Sequence, residues 1–392
     1  MSLVEILLVS FAIFLLIPTL VIFIQIAFAS LPEKHKENFL PNLISIAILI
    51  PAHNESSGII ATLNSVRPQL RTQDCLLVVA DNCSDDTAEI ASQHGAEVIV
   101  RCDPKNLGKG FALDFGLKYL AKNPPQVVVV IDADCIVEAK ALNQLAASAL
   151  ENGRPVQALY LMYAKDINLK SKISEFAWCV KNLVRPLGNA NLGLPCQLMG
   201  TGMAFPWSTI INADLANGNI VEDMKLGIDL AIAGTPPFFY MGSKVTSYFP
   251  LASEALSGQK TRWEHGHLAM IISEVPRLFI TGVAKRDINL LAMAFDLVVP
   301  PLALLVMLLF GYSALTFIIL LTANIGHLAF KLTMYALVIL TVGIAIAWWG
   351  WGRSIISMRS LLYVPIYVIL KFPHYFKFLF KRQKTWNKTE RD

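Results

Sequence analysis

Val127-Val128-Val129-Val130-Ile131-Asp132-Ala133-Asp134 is the stretch that decides the fold of this chain. Four valines and an isoleucine make a continuous apolar run of strand length, and it stops abruptly at the first aspartate. A run that is apolar on both faces belongs in a sheet covered by helices, so the two carboxylates emerge at its carboxyl end. Open α/β sheets bind their ligands at that edge. With Ala133 between them in extended backbone, Asp132 and Asp134 can splay to either side of a hard cation. Such a cation takes oxygens from one or two carboxylates and from substrate phosphates. The pattern therefore predicts a site for a metal and a diphosphate.

Composition bounds what surrounds that strand. The chain has 392 residues, 55% hydrophobic and 16% charged, with a mean hydropathy of +0.52. This is too apolar for a soluble two-domain enzyme and too polar for a pure transporter, so part of the chain sits in a bilayer. The formal net charge is only +4, and the basic residues crowd beside apolar segments and in the tail. That distribution favours a membrane surface and excludes nucleic acid as the partner. Cys75, Cys83, Cys102, Cys135, Cys179 and Cys196 show no paired metal-ligand spacing, and read as reduced packing residues.

Toward the N-terminus, residues 3–29 are almost entirely apolar and long enough to span a hydrocarbon core, with Pro18 as a tolerated kink. Ala27-Phe28-Ala29 looks like a signal-peptidase site. The preceding n-region, however, lacks Lys and Arg and contains Glu5, so an uncleaved anchor over 1–30 is expected. Lys34, His35 and Lys36 follow it and place the next domain in the cytoplasm.

Residues 43–250 alternate strands with amphipathic helices, the mark of a doubly wound α/β sheet. A strand over 44–50 runs into Pro51-Ala52-His53-Asn54-Glu55, and one over 76–80 into Asp81-Asn82-Cys83-Ser84-Asp85-Asp86-Thr87. Both polar clusters fall on the edge that carries Asp132 and Asp134. Helix capping explains Asp85; it does not explain Asp81, where a carboxylate can accept hydrogen bonds from a base or ribose. A strand over 97–101 leads into Asn106-Leu107-Gly108-Lys109-Gly110 and a helix over 111–121. The glycines let backbone N–H groups approach an anion and Lys109 adds charge, although a plain turn with a solvated lysine reads equally well.

A helix over 139–152, a strand over 156–163 and a helix of mixed faces over 170–184 follow. Gly200-Thr201-Gly202 then allows close backbone approach of an acceptor or sugar, or is simply a turn. Glu222 and Asp223 open a helix that ends near Gly234. They serve either as charges at its N-terminus or as a general base with a supporting carboxylate. Last comes a helix over 253–272 with Gln259 and Arg262 on one face and Trp263 beside them. Arg suits phosphate oxygens and Trp suits stacking on a sugar ring, between the catalytic fold and the membrane.

Taken in order, Pro51 to Glu55, Asp81 with Asp85-Asp86, Asn106 to Gly110, Asp132-Ala133-Asp134, Glu222-Asp223 and Gln259 to Trp263 resemble the membrane-bound family 2 glycosyltransferases, the group of the cellulose, hyaluronan and poly-N-acetylglucosamine synthases. The resemblance covers about residues 43–280 and the anchor arrangement. It implies a GT-A domain, a nucleotide-diphosphate sugar (UDP-sugar) donor, Mg2+ or Mn2+, and inversion at the anomeric carbon. It implies that Pro51, Ala52, Asn54, Glu55, Asp81, Lys109, Asp132, Gln259, Arg262 and Trp263 bind the donor, and that Asp132 and Asp134 hold the metal. Asp223 is then the base with Glu222 beside it, and Gly200, Thr201, Gly202 and Trp263 line the acceptor site. Val221 stands where the family's motif has threonine, a departure that loosens any subfamily assignment. The expected partners are the donor, a lipid-linked or glycan acceptor and membrane lipids, at a bacterial inner membrane.

Residues 251–296 are expected to lie along the interface because Asp296 would be costly at mid-membrane. Two spans over 297–350 follow, joined by an outer turn that holds His327 and Lys331, with Trp348, Trp349 and Trp351 as a belt and Arg353 and Arg359 on the cytoplasmic side. Residues 351–392 form an interfacial segment and basic tail; a five-span arrangement has the same parity. Three spans are few for a polymer path, so transfer to a membrane-associated acceptor ranks above a processive synthase. A nucleotidyltransferase and a non-catalytic receptor are the remaining readings.

Overall fold

The computed structural model describes residues 2–32, 44–166, 168–250, 253–361, 363 and 364, with the side chains of 253–257 left aside. Lys34, His35, Lys36 and the interfacial segment and tail beyond residue 364 fall outside it.

An apolar helix α1 (Leu3–Ala29), capped at Ser2 by a reciprocal bond with Glu5, leads into the α/β domain. Its strands are β1 (Ile46–Ala52), β2 (Cys75–Asp81), β3 (Glu97–Arg101), β4 (Val127–Val130), β5 (Ile136–Val137), β6 (Val156–Tyr163), β7 (Met203–Pro206) and β8 (Phe238–Tyr248). They form one sheet in the order β3-β2-β1-β4-β7-β6-β8-β5. β3, β2, β1 and β4 are parallel, and β7 runs antiparallel to both β4 and β6. The expected doubly wound half is thus joined to a mixed half. Helices α2 (Ile59–Val66), α3 (Thr87–Gln93), α4 (Lys109–Leu120), α5 (Ala141–Asn152), α6 (Leu169–Cys179), α7 (Arg185–Asn191), α8 (Trp207–Ile210) and α9 (Glu222–Ile232) connect the strands.

The valine run is buried from both sides, as its composition demands. Val127 and Val129 join the core under α2 and α5, while Val128 and Val130 join that under α4. β1 continues two residues past the expected end, to Ala52. Its pairing with β4 stops at Leu49 opposite Val130, so on that side Pro51 owes no ladder hydrogen bond.

Four further differences appear along the helices. The helix expected over 170–184 is α6 plus a π-helical turn at Val180–Val184, which carries the chain on into α7. The helix expected to stop near 272 is α10 (Ser253–Lys285), which continues through Pro276. After α11 (Ile288–Leu297), Pro300 and Pro301 delay the next helix, α12 (Leu302–Ala323), so it starts later than the expected 297. Asn324 and Gly326, both left-handed, make the turn, and α13 (His327–Ala347) begins at His327. His327 and Lys331 therefore belong to that helix rather than to the turn. Trp348, Trp349 and Trp351 lie in a π-helical turn, Trp348–Gly352, ahead of α14 (Met358–Leu361).

Among the described residues four helices are long and apolar enough to cross a membrane: Leu3–Ala29, Gly258–Lys285, Leu302–Ala323 and His327–Gly352. The second has a mean hydropathy of 1.3 against 2.0–2.9 for the others. α1 and α13 run parallel, since Gly326 lies against Leu8 and Gly343 against Phe23 and Ile26. Gly352 abuts Phe176 of α6, so both helices end against the α/β domain.

At that junction, Arg185 Nη2 pairs with Asp296 Oδ1 at 2.8 Å and Arg185 Nε donates to Gln25 Oε1 at 2.7 Å. Gln25 Nε2 donates to Asp296 Oδ1 at 2.7 Å. Asp296 is thus buried in a joint between α1, α7 and α11 rather than exposed to lipid, which removes the cost that the sequence raised against it.

Candidate active site

The polar ends of β1, β2 and β4 meet at one edge of the sheet. Asn54 and Asn82, at φ +51° and +49°, turn the chain there. Asn54 Oδ1 accepts from the Ser84 N–H at 2.7 Å, and Thr87 Oγ1 accepts from the Glu55 N–H at 2.8 Å. Asp85 accepts from the N–H groups of both Thr87 and Ser56. Asp86, not Asp85, is the residue at the N-cap of α3, so Asp85 ties the first loop to the second. Asp81 is buried at 6% exposure, and Arg101 Nη1 meets its Oδ1 at 2.6 Å. Burial raises its pKa and the guanidinium opposes that. Arg101 ends β3 directly opposite Asp81, a pairing that the parallel register alone would have located.

Asp132, Asp134 and Cys135 bring their ligand atoms within 4.8 Å of one another. Burial, then Asp134 and Asp132, hold the Cys135 thiol far above its ordinary pKa, so it stays protonated beside two carboxylates. The donor set is therefore one of hard oxygens and fits Mg2+ or Mn2+. A Cβ on Gly58 would stand 3.3 Å from Glu55 Oε2 and 3.9 Å from Asp134 Cβ, which places Glu55 beside this cluster.

Lys109 is the first residue of α4 rather than part of the loop before it. Its ammonium is ion-paired with Asp132, donates to the Gly200 carbonyl at 2.7 Å and lies 4.0 Å from Glu222. Burial disfavours the charge, but Asp132 and Glu222 outweigh it and hold the pKa above the usual lysine value. Thr201 is fully buried and its Oγ1 accepts from the Asp132 N–H at 3.0 Å, so it shapes the strand end and is not a contact surface. Gly200 and Gly202 take φ +91° and +64°. A Cβ on Gly200 would lie 3.3 Å from Asp223 Oδ2, which brings this loop against the acidic pair.

Glu222 and Asp223 open α9, and Asp223 Oδ1 accepts from the Met224 N–H at 2.8 Å. Burial and the adjacent Asp223 push Glu222 up to about 7. Burial also raises Asp223, against Lys109, the Met224 N–H and Lys181. An ordinary carboxylate is a weak base; burial raises both members of this pair, which makes either a stronger one.

α10 lies against this pair: a Cβ on Gly266 would come within 2.6 Å of Val221 Cγ1. Val221 is buried at 9% exposure, an apolar contact that accounts for valine at this position. Gln259 is buried, and Trp263 packs on Trp178 with ring centroids 5.0 Å apart. Lys181 stands over the other partner of that stack, 4.9 Å from the Trp178 centroid. Nothing in the sequence pointed to Trp178 or Lys181, because they come from a stretch of mixed faces that folds as α6 followed by the π turn.

Two family models match the chain: one described as glycosyl transferase family 2 over residues 47–199, the other as glycosyl transferase family group 2 over residues 127–372. The 4,4'-diaponeurosporenoate glycosyltransferase of Staphylococcus haemolyticus is 28% identical over 196 residues, 47% of this chain and 50% of that protein. A Bacillus subtilis protein described as a probable glycosyltransferase is 26% identical over 264 residues, 63% of this chain and 60% of its own. The chain spans about half to three fifths of the length of these relatives. A solved Pyrobaculum calidifontis mannosyltransferase, in complex with GDP-Man and Mn2+, shares the fold with a TM-score of 0.55 at 14% identity, covering 96% of this chain and all of that one.

Proposed function

The chain belongs to glycosyl transferase family group 2, a GT-A enzyme family that uses nucleotide-sugar donors, and on that premise we propose inverting transfer of a sugar to a membrane-associated acceptor. The observation that carries this reading is the convergence of Asp132, Asp134, Lys109, Gly200 and the Glu222-Asp223 pair at one sheet edge. The acceptor is lipid-linked or a glycan, and the reaction takes place at the cytoplasmic face of a bacterial inner membrane.

Asp132 and Asp134 would hold Mg2+ or Mn2+, which neutralises the charge that develops on the departing diphosphate. Asp223 takes the proton of the acceptor hydroxyl as its oxygen bonds to the anomeric carbon. The carbon–oxygen bond to the diphosphate breaks on the opposite side, and that electron pair leaves with the nucleoside diphosphate. Glu222 supports Asp223, and Lys109 keeps both beside a positive charge. Pro51, Ala52, Asn54, Glu55 and Asp81 wall the nucleoside side. Gln259, Arg262 and Trp263, on the helix seated against Val221, wall the other side. α10 carries Arg262, Glu264, Glu274 and Arg277 along its length, and Arg277 pairs with Asp229 of α9 at 2.9 Å. We therefore place it along the interface, with α1, α12 and α13 as spans.

Too few spans to enclose a polymer favour single transfer over processive synthesis. The test is a panel of UDP- and GDP-sugars in native membranes with Mg2+ or Mn2+. Release of nucleoside diphosphate with a short product supports the reading; a long polymer selects the processive alternative, and pyrophosphate release sinks both.

A further inference from the structure

A cavity of about 40 Å3 lies on the membrane side of the Glu222-Asp223 pair, between the π turn, the residues leading into Gly200, Met224, and α10 and α11. It has room for one or two water-sized groups. Asn182 lines it at 1% exposure, and its Nδ2 donates to the Tyr160 carbonyl at 3.3 Å, which fixes Oδ1 as an acceptor. That Oδ1, and both amide atoms of Gln197, have no hydrogen-bond partner among the described residues. Lys181 borders the cavity as well, but it is exposed and its ammonium stands over the Trp178 ring, so it is not one of the unsatisfied groups. Arg185 and Asp296, on its floor, neutralise each other.

A buried polar atom left without a partner costs about 1–3 kcal/mol, so something polar completes this set. The set contains both kinds of group: Gln197 Nε2 donates, and Asn182 Oδ1 and Gln197 Oε1 accept. A hydroxyl donates one hydrogen bond and accepts two, which suits all of them. A phosphate or carboxylate only accepts, and would face the lone pairs of Asn182 Oδ1. An anionic nucleophile would also have no use for the base at the rim.

We propose that this cavity is an acceptor subsite that takes a neutral hydroxyl-bearing group, of a sugar or a glycerol-like polyol, through Asn182 and Gln197. The assignment rests on the transferase reading above, and it makes the acceptor a polyol rather than an acid. Its position over the Gln25-Arg185-Asp296 joint sets the polyol where α1 and α11 meet the catalytic domain, so an attached apolar chain can remain in the bilayer.

The test uses the full chain in proteoliposomes with Mn2+ and the donor that the panel selects. The probes are n-octyl β-D-glucoside, monooctanoylglycerol and n-octyl phosphate, each below its micellar concentration. A sugar-head or a glycerol-head preference then distinguishes the two polyol sources. Gln197→Leu, at a half-buried position, and Asn182→Leu are expected to raise KM for the hydroxyl probe about tenfold each, the loss of one or two hydrogen bonds. KM for the donor and kcat are expected to move by less than about twofold. Unchanged KM for the probe in both variants means that the cavity holds solvent only and overturns the proposal, as does preference for octyl phosphate. Donor hydrolysis without transfer to either hydroxyl probe overturns it while leaving the transferase reading intact; no nucleoside diphosphate release from any donor removes both.

Discussion

Lys109 is ion-paired with Asp132 and donates to the carbonyl of Gly200, so one ammonium joins the end of the valine strand to the loop that touches Asp223. Charge at the donor side and proton affinity at the acceptor side are therefore coupled through a single side chain. Lys109→Met is expected to lower kcat/KM about 100-fold, because the acids lose their counter-charge and the site loses a preorganised cation. The check is steady-state nucleoside diphosphate release; activity within threefold of wild type would disprove the coupling.

Asp223→Asn keeps the proposed donor site and removes the proposed base. Turnover is expected to fall about 10²- to 10⁴-fold with donor affinity preserved. Equilibrium binding of the donor alongside single-turnover transfer separates the two effects, and retention of most of the wild-type rate would refute the assignment.

The raised pKa of Glu222 gives the protein a pH signature of definite sign. Its folded value of about 7 lies above its ordinary 4.5, so between those values the unfolded chain binds fewer protons. Stability from this group is therefore full below pH 4.5 and lost as pH rises through about 7. Activity runs the other way, with an acid limb set by the raised Glu222-Asp223 pair. Glu222→Gln is expected to flatten the stability slope and move the limb to lower pH. Thermal unfolding and rate profiles from pH 5 to 8 read both.

Gly200→Ala places a Cβ 3.3 Å from Asp223 Oδ2 at φ +91°, a conformation that costs a non-glycine residue about 1–3 kcal/mol. The expected result is at least about a tenfold loss of kcat with a modest drop in Tm. A variant as active as wild type would show that this loop stands clear of the chemistry.

Arg185→Leu leaves Asp296 buried without its cation and is expected to destabilise the protein by about 3–5 kcal/mol. Replacing both residues with leucine should restore most of it. Detergent-solubilised unfolding of the single and double variants decides; equal losses in the two would place the cost in packing rather than charge.

The valine run and the acids after it made the sheet and its ligand edge legible, because period, burial and strand ends are local properties. Glu97–Arg101 and Val156–Tyr163 are strands over the ranges the sequence marked. The six motifs identified the family, which the match over residues 127–372 bears out. What the sequence left open were distances between residues far apart in the chain. Only the folded chain sets Arg101 on Asp81, Lys109 on Asp132, and Asp296 in a joint with Gln25 and Arg185. Lys181 and Asn182 were illegible for a related reason: the π turn at Val180–Val184 shifts the helical phase, so no 3.6-residue period could assign them a face. Residue types and local order thus settled which chemistry the chain carries, whereas long-range packing settled which charges meet, since a Coulomb energy depends on a separation in space that sequence order does not encode.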